Sequence, residues 1–152
     1  MEHPSAAEVR QSAEASFAAG LYCAESVLLS LARAQGIESE LLPRVATAFC
    51  GGMARTCGTC GALTGAIMGI GLALGRSSAG ESVQPSYAAT QRLIARFEQE
   101  FGARDCHVLL GCDLGTPEGQ AMFRDDRLAE LCATYTGRAA EIAAQILAQP
   151  AG

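Results

Sequence analysis

The sequence predicts an all-α fold, with one domain over residues 1–152 that forms a helical bundle of about six to seven helices. Apolar residues recur at the helical spacing in several segments, most clearly over residues 126–148. Glycines follow these segments at the positions where helices commonly end. The sequence lacks the alternating β-branched runs and turn dipeptides that indicate strands. These three observations together define the fold class.

Each predicted helix has a recognisable start or stop. The first helix follows Ser5, which forms a capping-box pattern with Glu8, and it ends near Gly20. Residues 112–124 are rich in turn-forming residues and are expected to form a loop. The remaining helices are predicted over residues 22–35, 39–49, 59–74, 86–101, 106–110 and 126–148.

The composition excludes several classes of function. All eleven basic residues are arginine, so a lysine Schiff base, a lysine general base and a P-loop lysine are excluded. The net charge of −5 argues against nucleic-acid binding, because neutralising phosphates requires a basic surface. The first eight residues are acidic and lack the basic and apolar regions of a signal peptide. We therefore expect a cytoplasmic protein whose thiols stay mostly reduced.

Residues 56–75 form a stretch of twenty residues without charge. This length could cross a bilayer, but its glycines and modest hydrophobicity favour a buried helix, so we expect no membrane insertion. Gly61, Gly65 and Gly69 recur every four residues and form a ridge without side chains. Another helix can approach such a ridge closely, which makes the ridge the expected contact for helix packing or for a homodimer.

The chain has seven cysteines, an odd number that rules out a complete intrachain disulfide framework. With Thr59 as the N-cap, Cys60 would be the first helical residue, where free backbone N–H groups stabilise a thiolate. The alternative is a small buried residue at a tight helix start. Cys57 lies three residues earlier, and a C-x-x-C pair at a helix start is typical of a redox dithiol or of half a metal site. Cys60 and Cys57 are therefore the candidate catalytic residues.

Three further cysteines lie on other predicted helices. Cys23 falls in the first turn of the second helix, and Cys132 lies on the apolar face of the last helix. Each of these alone would be interpreted as a core residue. Cys106 follows the expected N-cap Asp105 and shares the helix-start position of Cys60, although a nearby carboxylate raises the pKa of a thiol.

Together these motifs resemble the C_GCAxxG_C_C family of redox-active proteins, with the similarity extending over residues 18–147. The resemblance implies that Cys23, Cys60, Cys106 and Cys132 are the four hallmark cysteines of the family. Cys50, Cys57 and Cys112 depart from its pattern and could add a dithiol of their own. The matching segments are Tyr22-Cys23-Ala24-Glu25-Ser26-Val27, Phe49-Cys50-Gly51-Gly52-Met53-Ala54-Arg55, Cys60-Gly61-Ala62-Leu63-Thr64-Gly65-Ala66, Asp105-Cys106-His107-Val108-Leu109-Leu110-Gly111 and Cys132.

The four hallmark cysteines lie on four different predicted helices. If the bundle gathers them, they form a four-thiolate cofactor or metal site of the kind that suits an iron–sulfur cluster. The leading hypothesis is thus a redox protein that carries electrons through such a cluster, or that cycles thiols and disulfides without a cofactor, and that acts with a redox partner protein. A non-redox site for zinc or copper is the second hypothesis. A helical interaction module with core thiols is the third.

Overall fold

The computed structural model describes residues 2–149, and their regular structure is helical, so the predicted all-α fold is confirmed. A 3₁₀ turn, Thr47–Phe49, connects α3 to α4. The long helices are α1, α2, α5, α6 and α9. In chain order the helices are α1 (Ala6–Ala18), α2 (Cys23–Ala34), α3 (Leu41–Ala46), α4 (Cys50–Arg55), α5 (Gly61–Leu74), α6 (Gln84–Phe101), α7 (Cys106–Leu110), α8 (Pro117–Asp125) and α9 (Ala129–Ala148).

The caps predicted from the sequence set several helix boundaries. The N–H of Glu8 donates to the Ser5 hydroxyl at 3.2 Å, and the N–H of Ser5 donates to the Glu8 carboxylate at 2.7 Å, which completes the capping box of α1. Gly102 ends α6 with a φ of 81°, and Gly111 ends α7 with a φ of 72°. Glycine adopts this left-handed conformation without the steric penalty of a Cβ atom, which explains both helix ends.

The predicted loop over residues 112–124 is wrong, because it contains most of α8. The hydroxyl of Thr116 accepts a hydrogen bond from the N–H of Gly119 at 2.9 Å and caps this helix, with Pro117 as its first residue. Threonine at the N-cap followed by proline is a common helix start, so the signal was present in the sequence.

The core is built on three helices that pack against one another, α2, α5 and α9. Helix α1 packs on α2 and α9, and α6 packs on α5 and α9. Phe97 of α6 is completely buried and stacks edge-on against Phe101, with ring centroids 4.9 Å apart. Burial of each large apolar side chain contributes about 1.5–3 kcal/mol. The other large side chains that are fully buried are Val27, Leu28, Leu31, Leu63, Ile70, Leu93 and Ile142.

The glycine ridge of α5 faces α2 within the same chain. A Cβ atom at Gly65 would lie 2.6 Å from the carbonyl oxygen of Ala24, and one at Gly69 would overlap the side chain of Leu31. The ridge therefore serves close packing between α5 and α2, as the spacing predicted. The homodimer contact predicted for the same surface has to be corrected, because α2 already covers these glycines.

The uncharged stretch over residues 56–75 forms more than one element. It begins in the turn after α4 and continues into α5, which is 14 residues long. Across residues 2–149, no helix combines the length and the apolar character needed to cross a membrane.

Helix α4 is a left-handed turn, which the sequence did not predict beyond a chain break at Gly51 and Gly52. These two glycines have φ values of 69° and 71°, and Met53 and Ala54 follow with 59° and 56°. Arg55 continues the turn with a φ of 67°. A left-handed conformation costs roughly 1–2 kcal/mol for each residue that carries a Cβ atom. The surrounding structure must therefore stabilise this turn.

Candidate functional site

The N-terminal ends of four helices, α2, α5, α7 and α9, meet around a cavity of about 550 Å³. The cavity is partly open to solvent, and its walls are mostly apolar. Each of the four helices contributes one hallmark cysteine to the wall, and these are Cys23, Cys60, Cys106 and Cys132. The fold thus brings four thiols that are distant in sequence to a single cavity.

The close packing of α2 on α5 places the first two of these thiols. Cys23 is the first residue of α2, and Cys60 is the N-cap of α5 rather than its first helical residue. A Cβ atom at Gly61 would overlap the Sγ atom of Cys23. The missing side chain of Gly61 therefore provides the space that the Cys23 sulfur occupies.

Two backbone hydrogen bonds hold Cys60 beside Cys106. The N–H of Cys60 donates to the carbonyl oxygen of Arg104 at 2.7 Å, and the N–H of Cys106 donates to that of Gly58 at 2.9 Å. The chain segments before α5 and α7 form an isolated antiparallel bridge at this point. Because the bridge is made by the backbone, it fixes the start of both helices independently of any side-chain rotamer.

The left-handed turn α4 packs closely against Cys106 through Gly52. A Cβ atom at Gly52 would lie 2.5 Å from the Cβ atom of Cys106 and 2.9 Å from the carbonyl oxygen of Gly58. The N–H of Gly58 in turn donates to the carbonyl oxygen of Gly52 at 2.9 Å. Only a glycine at position 52 allows this approach, which links the strained turn directly to the position of a hallmark cysteine.

Tyr135 lies one turn after Cys132 on α9 and lines the same cavity. Its hydroxyl donates to the carbonyl oxygen of Leu109 at 3.0 Å, and its ring packs edge-on against Phe101 with centroids 4.9 Å apart. These contacts tie α7 to α9 and bring Cys106 and Cys132 to the same cavity. Tyr135 was not among the site residues predicted from the sequence, although its position three residues after Cys132 places both on one helix face.

Burial favours the protonated form of the cavity thiols. Loss of hydration raises the pKa of Cys60 to about 12, that of Cys132 to about 12 and that of Cys106 to about 11. The N–H groups of Ala62 and Leu63 lower the pKa of Cys60, as its position at a helix start predicted, but burial outweighs them. The predicted low-pKa thiolate at Cys60 is therefore wrong for the cofactor-free protein.

The charges around the cavity favour an anionic occupant. Among the described residues that line the cavity, Arg55 is the one that carries a formal charge. The long helices α2, α5 and α9 begin at the cavity, so the positive ends of three helix dipoles point towards it. A cofactor bound by several thiolates is negatively charged and would be stabilised by this field.

The C-x-x-C pair that the sequence suggested as a catalytic dithiol is divided between two environments. Cys60 lines the cavity and is 7% exposed. Cys57 lies outside the cavity lining and is half-buried, and the neighbouring carboxylate of Asp113 raises the pKa of Cys57. Cys112 is buried, and burial also raises its pKa. All seven cysteines are free thiols.

Ligation of a single metal ion requires closer convergence of side chains than the cavity provides. Between residues 2 and 149, no three side chains of His, Cys, Asp or Glu are arranged to hold one metal ion. Zinc would need its thiolates about 2.3 Å from a shared point. The hallmark thiols instead line the wall of a larger cavity.

The comparisons with known proteins identify the family. A family model with the description "Putative redox-active protein (C_GCAxxG_C_C)" matches residues 21–146. This match covers most of the chain, so the chain belongs to the C_GCAxxG_C_C family, whose name indicates a redox-active protein. The resemblance noted in the sequence is thereby confirmed. Neither the curated proteins nor the solved structures contain a significant match.

Proposed function

We propose that this protein is a cytoplasmic electron carrier that holds an iron–sulfur cluster in the cavity through the hallmark cysteines Cys23, Cys60, Cys106 and Cys132. The observation that carries the proposal is the meeting of these four thiols, from four helices, around one apolar cavity. Clusters of iron and sulfide are commonly held by four cysteine thiolates, and bundle proteins build cofactor sites between facing helices.

The residues of the chain would have defined roles around such a cluster. The cluster itself would accept and release electrons when bound. The apolar walls limit access of water, and Arg55 and the helix N-termini offset negative charge. Because the cavity thiols hold their protons tightly, loading would release protons and would become more favourable as the pH rises. A redox partner protein would exchange electrons with the loaded protein.

The other two chemistries proposed from the sequence receive less support. A zinc or copper site would require the sulfur atoms to move onto one point. Thiol exchange through Cys57 and Cys60 would involve one thiol in the cavity and one that faces Asp113 outside it.

The test is anaerobic reconstitution with ferrous iron and sulfide, followed by iron and sulfide analysis, visible absorption and electron paramagnetic resonance of the reduced protein. We expect cluster absorption in the wild type. Serine at any one of the four hallmark positions should lower the iron and sulfide content and alter the spectrum. Serine at Cys57 or Cys112 provides the matched control, because both lie outside the cavity lining, and these variants should load like the wild type. Equal loss in the controls, or full loading without Cys132, would contradict the proposal.

A further inference from the structure

The thiol of Cys50, which is not one of the hallmark cysteines, lies beside that of Cys23. Cys50 begins the left-handed turn α4, and Cys23 begins α2. The neighbouring Cys23 thiol and burial raise the pKa of the Cys50 thiol, and the N–H groups of Glu25 and Ala24 lower it. The Cys50 thiol donates a hydrogen bond to the carbonyl oxygen of Ala46 at 3.7 Å.

The backbone of Gly61 holds both cysteines in this arrangement. The Sγ atom of Cys23 occupies the space where a Cβ atom of Gly61 would be, and the Cα atom of Cys50 lies 3.1 Å from the same position. Both residues thus pack on one glycine, on the wall of a cavity that is partly open to solvent. Both residues are buried, at 9% and 7% exposure, and both line the wall of the cavity.

We propose that Cys23 and Cys50 form a second redox centre, a dithiol that a low-molecular-weight disulfide such as oxidised glutathione converts reversibly into an intrachain disulfide. The proposed cluster needs the Cys23 thiolate as a ligand, so a disulfide at Cys23 would block cluster loading. Formation of the disulfide is independent of the proposed function, whereas its consequence, a block on cluster loading, rests on that function.

The exchange proceeds in two balanced steps. One cysteine, as its thiolate, attacks a sulfur of oxidised glutathione, forms a mixed disulfide and releases one glutathione thiolate. The second cysteine then loses its proton, attacks the protein sulfur of the mixed disulfide and releases the second glutathione. Two electrons pass from the cysteine pair to oxidised glutathione, and the two thiol protons end on the two molecules of reduced glutathione.

Tryptic mapping can identify this disulfide without ambiguity. The chain has no lysine, so trypsin cleaves only after arginine, which places Cys23 in the peptide 11–33 and Cys50 in the peptide 45–55. Each peptide contains no other cysteine. The full-length protein, reduced and free of iron, is equilibrated anaerobically with mixtures of reduced and oxidised glutathione. Its free thiols are then alkylated, and the tryptic digest is analysed by mass spectrometry.

We expect a linked peptide pair, 11–33 with 45–55, that increases with oxidised glutathione and is lost on treatment with dithiothreitol. Cys50→Ala should abolish the pair, whereas Cys112→Ala, which also replaces a buried cysteine outside the hallmark set, should retain it.

Oxidised wild type should fail to take up iron and sulfide until it is reduced. Cys50→Ala should load equally before and after oxidation. Circular dichroism confirms that each variant is folded, and Cys50→Ser serves if the alanine variant is not.

The outcomes separate the two proposals. If Cys23 and Cys50 are recovered only as free or separately glutathionylated peptides, the second redox centre is overturned, while cluster loading by the reduced protein is unaffected. If the linked pair forms but the reduced protein takes up no iron or sulfide, the proposed function fails and the dithiol stands. If the linked pair forms and oxidised wild type still loads fully, the block on loading is overturned.

Discussion

Gly61 is the residue on which the positions of Cys23 and Cys50 both depend. A methyl group at this position would overlap the Cys23 sulfur and would lie 2.9 Å from the carbonyl oxygen of Phe49. We expect Gly61→Ala to destabilise the reduced protein by about 1–3 kcal/mol, the usual effect of overpacking a well-filled site. Urea unfolding under reducing conditions measures the change.

Gly71 on the same helix is the matched control for this substitution. Apart from its chain neighbours and the nearby backbone of its own helix, no atom lies within 4 Å of the position that its Cβ would take. Gly71→Ala should therefore leave the protein unchanged or stabilise it by up to about 1 kcal/mol, because alanine loses less backbone entropy than glycine on forming a helix. Equal effects of the two substitutions would show that the contact at Gly61 does not constrain the cysteines.

We expect the raised pKa of Cys60 to make the cofactor-free protein less stable in alkaline solution. Its pKa rises from an ordinary value of 9.0 to about 12 on folding, because burial disfavours the thiolate. Between these two values the unfolded chain loses the proton while the folded chain keeps it, so the free energy of unfolding decreases as the pH rises. The loss is negligible below about pH 8 and reaches about 1.4 kcal/mol at pH 10 for this thiol.

Denaturant unfolding of reduced wild type and of Cys60→Ala at pH 8 and pH 10 checks this expectation. The other cysteines are present in both proteins, so the contribution of Cys60 appears as the difference between the two pH dependences. The wild type should lose about 1.4 kcal/mol more than the variant between these pH values. The same pH dependence in both proteins would mean that the Cys60 thiol ionises as easily in the folded chain as in the unfolded one.

For Cys60, the local backbone environment could be predicted from the sequence, but the pKa of the thiol could not. The sequence located the cysteine at a helix start and predicted that backbone N–H groups stabilise its thiolate, and those of Ala62 and Leu63 do lower its pKa. It could not predict that the pKa would rise, because burial is produced by helices that are distant in sequence. Local hydrogen bonds can be inferred from local sequence, whereas desolvation depends on the packing of the whole fold.

At the scale of elements, the left-handed turn α4 stores strain next to the site. Ala54 is exposed and has a φ of 56°, a conformation that disfavours any residue with a Cβ atom. Ala54→Gly removes this penalty but increases the entropy of the unfolded chain, so we expect a net stabilisation of about 0.5–1 kcal/mol. Thermal or urea unfolding of the variant measures the change.

Ala88 is the control position for this substitution, because an alanine-to-glycine change there should destabilise the protein. It is exposed on the right-handed helix α6, where glycine costs about 1 kcal/mol relative to alanine. A stabilising Ala54→Gly beside a destabilising Ala88→Gly is the expected pattern. If both substitutions destabilise by the same amount, the conformation of Ala54 carries no strain, and α4 does not store energy near the site.

The sequence indicated most elements but not the handedness of α4. Caps at Ser5, Gly102 and Gly111 act locally and were predicted correctly. Met53 and Ala54 disfavour the left-handed conformation, so local preference gave no signal for it. The conformation is instead determined by long-range contacts, above all the approach of Cys106 to Gly52. Preferences within a few residues cannot report such contacts.

Across the whole molecule, the helices that carry or connect the hallmark thiols differ greatly in burial. Helix α2 buries nine of its twelve residues, whereas within α8 only Gly119 is buried. Helix α8 lies in the chain between Cys106 of α7 and Cys132 of α9. Segments with few buried groups open locally at low free-energy cost. In the cofactor-free protein, α8 should therefore be among the first helices to exchange its amide hydrogens.

Cluster loading should change this local stability most in the chain between α7 and α9. A cofactor bound by both Cys106 and Cys132 would join the two ends of the segment that contains α8, and its binding free energy would oppose local opening. We expect amide exchange over residues 117–125 to slow by about tenfold or more on loading, equivalent to about 1.4 kcal/mol of added local stability. Hydrogen–deuterium exchange of the reduced protein, with and without the cluster, measures this slowing. Helix α6 is the internal reference because it carries no hallmark cysteine. A slowing that is equal in α6 and α8 would indicate general stabilisation and would contradict a site that bridges α7 and α9.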